Sequence, residues 1–191
     1  MSNLTYIILS ERQIDKVGNS IIYLSNNIKN LTKTKIIKLI YILDELSIKQ
    51  SGIPLFNLKY KVWKFGPVSE EIFIDLSSET TLLKKYIQKE IENGYTIIKP
   101  KSKFNDDEFS DNDIELLDVV IEKFGSQTAK DLVNFTHRKN SPWYITASKN
   151  SVLDLLINEE INNTEILVDM DSLINHDKRK KSIYKDYLEL N

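Results

Sequence analysis

The chain has 191 residues, 41% hydrophobic and 28% charged, with a formal net charge of −2. This is the composition of an ordinary globular protein able to bury its own core, and it excludes intrinsic disorder. Cysteine is absent, which excludes disulfides and thiolate metal sites and fits a cytoplasmic location. The slightly acidic balance disfavours a dedicated nucleic-acid binder, whose affinity comes largely from neutralised phosphates. No run of about eighteen apolar residues occurs, so no membrane-spanning helix is expected. The opening MSNLTYIILSERQ carries neither a basic stretch nor a small-residue cleavage site and is not read as a signal peptide.

Ser10-Glu11-Arg12-Gln13 is a capping box that opens a first helix, with Ile14, Val17, Ile21, Leu24 and Ile28 at helical spacing and Asn26, Asn27 and Asn30 at its end. Thr32 caps a second, with Ile36, Leu39, Ile40, Leu43 and Leu46 on one face and Gly52 as its stop. Residues 59–63 alternate in polarity and read as a short strand. Gly66-Pro67 then turns the chain into a helix at Ser69-Glu70-Glu71-Ile72. The spacing of Leu83, Tyr86, Ile87 and Ile91 predicts a helix from about Thr81 to Gly94. The β-branched run 95–99, ended by Pro100, reads as a strand partnering the first. After a polar loop at 101–107, Ser110 opens a helix that Gly125 closes, and Thr128 caps a shorter one carrying Leu132, Val133 and Phe135. Residues 151–160 read as helix, 165–168 as extended and 177–190 as a terminal helix.

Chemistry-bearing clusters are sparse. The two histidines, His137 and His176, stand in no metal-ligand spacing, and the glycines form no phosphate-binding loop. No metal, cofactor or catalytic residue is expected, and the chain is read as a non-enzyme. A hydrolase using His137 as a base is the remote alternative. The first alternative is a DNA-binding transcriptional regulator, for which there are two hooks. One is the basic run from His176 to Lys181, against the reading of a solvated helix face. The other is the helix pair around Ile14 to Leu46, which mimics a helix-turn-helix but lacks arginine and glutamine where base edges would be read. Trp63, Phe65 and Trp143 lie outside the periodic runs. They either plug the core where loops cross it or contribute to a protein interface.

Three landmarks occur in order: Lys38-Leu39-Ile40-Tyr41-Ile42-Leu43-Asp44, then Gly66-Pro67-Val68, then Thr136-His137 followed by Ser141-Pro142-Trp143. In their order and spacing they resemble the Panacea (SocA-like) antitoxin domain, found in bacterial and phage-associated toxin–antitoxin systems. The resemblance spans roughly residues 14–143 and leaves the tail from Ser151 outside it. It implies a non-catalytic antitoxin that binds a cognate protein toxin, with nucleic acid less favoured as a partner, no membrane, and self-association left open. The expected partner-binding residues are Trp63, Phe65, Gly66, Pro67, His137, Ser141, Pro142 and Trp143, with Tyr41 and Asp44 as supports. The last two lie three apart on a helix and bond either the Gly66 corner or the partner.

The expected architecture is mainly α (α+β), a single compact helical domain with a small antiparallel β-hairpin or sheet. Residues 1–150 form the Panacea-like domain, and 151–191 a C-terminal extension packing on it.

Overall fold

The computed structural model describes residues 9–190. The apolar start that bears on the signal-peptide reading lies largely outside them. Helix α1 (Glu11–Asn27) begins at the expected capping box, with Ser10 and Gln13 each bonding the other's backbone. Helix α2 (Lys33–Ser51) begins at Thr32, whose side chain accepts from Lys35 N, and ends at Gly52 with φ 82°. That left-handed backbone is the reason glycine serves as the stop.

Helix α2 is the axis of the fold. Its Ile36, Leu39, Ile40, Tyr41, Ile42 and Leu43 are all fully buried, so apolar residues enter the core from every side rather than from one stripe. A helix surrounded in this way must also bury polar groups, and Lys35, Lys38, Asp44 and Glu45 are buried on it. Packed around it are α3 (Glu70–Ser77), α4 (Asp111–Phe124), α5 (Ala129–Thr136) and the 3-10 turn Met170–Ile174, while α1 packs on α4.

Two two-stranded antiparallel sheets flank the helices. Strands β1 (Lys61–Trp63) and β2 (Gly66–Val68) form a tight hairpin in which Trp63 pairs with Gly66 across the turn Lys64-Phe65. The Gly66-Pro67 corner is therefore the returning strand of a hairpin and not the lead-in to a helix. Ser69 caps α3 afterwards without its side chain accepting from a helix N–H; its hydroxyl donates to the Glu71 carboxylate at 2.9 Å instead. Strands β3 (Ile87–Glu92) and β4 (Tyr95–Pro100) form the second hairpin.

That second hairpin corrects two expectations. The predicted helix over 81–94 is instead a turn followed by β3. The buried Asp75 carboxylate accepts from the backbone N–H groups of Thr81, Leu82 and Leu83 at 2.7, 2.8 and 3.1 Å, which holds them in a turn. Asn93 and Gly94, with φ 50° and 80°, make the two-residue turn that suits a hairpin. The strand at 95–100 thus pairs with β3, its sequence neighbour, and not with β1.

Helix α6 (Pro142–Lys149) has no counterpart among the elements expected from the sequence. Beyond it, the short helix α7 (Leu153–Ile157) leads into an extended segment running beside β1, with Val62 N donating to Ile166 O and Val168 N to Tyr60 O. The final helix, α8 (Lys178–Leu190), lies against the 3-10 turn and α2.

Candidate partner-binding site

The β1–β2 hairpin ends in an exposed aromatic ring clamped from below. Phe65 is 62% exposed at the tip, and the Lys64 ammonium stands 4.9 Å from its ring centre while pairing with Glu159 at 3.0 Å. Beneath the tip, side-chain donors from separate helices reach its backbone carbonyls. Lys38 of α2 donates to Pro67 O at 3.0 Å. Trp143 of α6 donates its indole N–H to Trp63 O at 2.9 Å. His137, at the end of α5, places Nε2 3.0 Å from Lys64 O and Nδ1 2.7 Å from Val133 O.

Local sequence explains each placement. Ser141 caps α6 by accepting from Tyr144 N at 3.1 Å, and Pro142 occupies the first helical position, where its missing N–H costs nothing. The cap aims Trp143, 1% exposed, inward under the hairpin, where its ring meets that of His137 edge-on at 3.9 Å. Gly66 has φ 95°, and a Cβ there would fall 2.5 Å from Thr136 Oγ1 and 3.1 Å from Lys38 Nζ. Only glycine permits both this backbone and the close seating of the hairpin on α2 and α5.

Burial dominates the electrostatics. It lowers the Lys38 pKa from 10.5 to about 7, since little around the amine replaces its water. It also holds His137 below its ordinary 6.5, against the two carbonyl contacts that favour the charged ring.

All the expected contact residues except Tyr41 and Asp44 gather at this hairpin. Tyr41 and Asp44 are 0% and 1% exposed and face the preceding loop. Asp44 accepts from Phe56 N at 2.7 Å, Leu58 N at 3.4 Å and Tyr60 Oη at 2.8 Å. Burial raises its pKa to about 6, and the bonds from Phe56, Tyr60 and Leu58 pull the other way. Tyr41 packs edge-on against Tyr60 at 5.1 Å. Its hydroxyl makes no bond within 3.5 Å, yet burial first and the Glu45 carboxylate beside it second raise its pKa. Both residues are supports of the fold; neither bonds the Gly66 corner, and neither is open to a partner.

Trp63 is half-buried on the outer side of the hairpin, edge-on to Phe73 at 5.0 Å, with its indole N–H buried and unpaired. Lys38 and Thr136 are the residues whose role under Gly66 the sequence reading missed. The available signal was a lysine set among isoleucines and leucines in a helix core. A second missed contact joins the buried Glu45 to Arg138, with Lys49 also on Glu45 at 2.6 Å.

Among the described residues, no group of three or more His, Cys, Asp or Glu is placed to hold a metal ion. No described helix is long and apolar enough to cross a membrane. Cavities of about 350 and 420 Å³ lie elsewhere, the first lined by Gln13, Phe56 and Tyr187, the second by Asn19, Tyr86 and Asn105. In the basic run, Lys178, Arg179 and Lys181 are exposed, while Lys180 gives its amine to Lys49 O at 2.6 Å.

Comparison with known proteins adds two findings. The chain is 29% identical over 114 residues to Antitoxin SocA of Caulobacter vibrioides (strain NA1000 / CB15N), a match covering 58% of this chain and 57% of that protein. The chain thus matches little more than half of that relative's length. No solved structure matches. The family model described as "Antitoxin SocA-like, Panacea domain" matches residues 36–144, from the core of α2 to the first turn of α6, and so takes in the whole clamped hairpin. The chain belongs to the SocA-like Panacea-domain family.

Proposed function

We propose that this protein is a non-catalytic, cytoplasmic antitoxin that neutralises a cognate protein toxin, with the β1–β2 tip as its contact surface. One observation carries the placement: an aromatic side chain, Phe65, stands exposed on a backbone held by side-chain donors from α2 and α6, with the His137 ring of α5 set against its turn. Interfaces are enriched in aromatic side chains at their centres, and a few anchors carry most of the energy. A rigid anchor also loses little conformational entropy on binding. The name of the matched relative supports the antitoxin role, and the toxin's chemistry is left open.

Co-expression with the product of the adjacent gene tests the reading. The wild-type chain should restore growth and co-purify with that product. Phe65→Asp should weaken the complex about tenfold or more, as expected when an anchor is lost. Neutralising Lys178, Arg179 and Lys181 together should leave rescue intact. Rescue unaffected by Phe65→Asp but abolished by the triple change would replace this reading with one based on nucleic acid.

A further inference from the structure

His137 contacts two carbonyl oxygens, Val133 O at 2.7 Å within its own helix and Lys64 O at 3.0 Å in the hairpin turn. A carbonyl only accepts. A neutral imidazole has one N–H and one lone pair, so it can donate to one of these oxygens and must turn a lone pair on the other. The shorter contact, to Val133, assigns the single proton of the neutral ring to Nδ1. Nε2 is then left facing Lys64 O without a hydrogen between them.

We infer that His137 is a proton-operated latch on the hairpin tip: the imidazolium ties the Lys64 carbonyl to α5, and the neutral ring releases it. Its consequence for binding rests on the tip being the toxin-contact surface, since the latch sets how firmly the turn bearing Phe65 is held.

The surrounding charges fix the direction. From α2, the Lys38 amine under Pro67 is the nearby cation and opposes a second positive charge. From the hairpin, the Lys64 ammonium turns away to Glu159. The adjacent Arg138 is taken up by Glu45 of α2. From α6 the neighbour is the uncharged Trp143 ring. No acid among the described residues is hydrogen-bonded to the imidazole, so burial and Lys38 keep it neutral near pH 7 and acidification closes the latch. Charging a ring whose pKa is depressed costs the whole fold some stability while adding one local bond.

The test is an NMR titration of the ¹⁵N,¹³C-labelled full chain from pH 8 downward. Below the His137 midpoint, both ring nitrogens should read as protonated. The Lys64 carbonyl shift should move with that same midpoint, and the Val133 carbonyl should move much less. In Lys38→Met the shared midpoint should rise, because a neighbouring cation is gone. A Lys64 carbonyl that stays flat through the His137 titration overturns the latch. So does a Val133 carbonyl that moves in its place, or a ring still neutral when acid unfolding begins. None of these readouts involves the toxin: a latch that titrates while Phe65→Asp leaves rescue intact would stand, and the contact reading alone would fall.

Discussion

A lysine amine without water around it sheds its proton readily, and Lys38 is in that position beneath Pro67. Its folded pKa of about 7 lies below the unfolded 10.5, so the unfolded chain binds more protons between those values. Stability attributable to Lys38 is therefore complete above about pH 10.5 and is lost as the pH falls towards 7. The slope should approach about 1.4 kcal/mol per pH unit in that window. Lys38→Met should flatten it in denaturant melts run from pH 7 to 10, while lowering stability at the alkaline end, where the wild-type amine is neutral, by about 1–3 kcal/mol for the unpaired Pro67 carbonyl. A wild-type curve already flat across the window would show that the amine stays charged.

Two glycines separate backbone strain from crowding. Gly66 and Gly94 both have positive φ, 95° and 80°. A Cβ at Gly66 meets Thr136 and Lys38, whereas at Gly94 nothing lies within 4 Å. Gly94→Ala should thus cost only the left-handed penalty of roughly 1–2 kcal/mol. Gly66→Ala should cost clearly more, because Thr136 or the whole hairpin must move as well. Equal losses in melting temperature would mean that the hairpin is seated loosely. Asp44 belongs to the same scale: at 1% exposure, Asp44→Arg reports on folding, not on partner contact.

At the scale of elements, the sequence shows what is local and hides what is relational. The caps at Ser10, Thr32, Ser110 and Thr128 are each made by the residue that the pattern singles out, because a cap joins groups three positions apart. The segment 83–91 misleads because Leu83, Tyr86, Ile87 and Ile91 fit a helical period by spacing alone. What decides its fate is the carboxylate of Asp75 and the Asn93-Gly94 turn. The dipeptide was legible as a hairpin signal, and the Asp75 contact was not. Helix α6 escaped notice although Ser141-Pro142 is a start signal, since its buried Trp143 answers to the hairpin and not to a periodic stripe. The clamp itself was half legible. Gly66, Pro67, His137 and Trp143 stood out as unusual residues, but only the fold shows that they meet. Nothing in the spacing of Lys38 and Thr136 announces that both lie under Gly66.

At the scale of the whole molecule, the residues beyond 150 return to β1 and α2. Lys64 N donates to Asn162 O at 2.8 Å, Val62 N to Ile166 O at 2.9 Å and Val168 N to Tyr60 O at 2.7 Å, laying an extended segment along β1 with an isolated bridge between Lys61 and Leu167. Lys61 carries the Glu165 carboxylate at 2.6 Å. Val168, Met170 and Ile174 are 8%, 7% and 3% exposed, and full burial of such side chains stabilises by about 1.5–3 kcal/mol each. Lys180 caps the carbonyl end of α2, where a cation is favoured. Together these contributions approach the total stability of a typical domain, about 5–15 kcal/mol. A chain ended after Asn150 should therefore melt far lower than the full chain or lose its cooperative transition. The Val62 and Lys64 amides should become unprotected in hydrogen exchange. If the shortened chain instead kept the full melting temperature and both amides stayed protected, the tail would be an appendage, and the hairpin bearing Phe65 would be held by the helices alone.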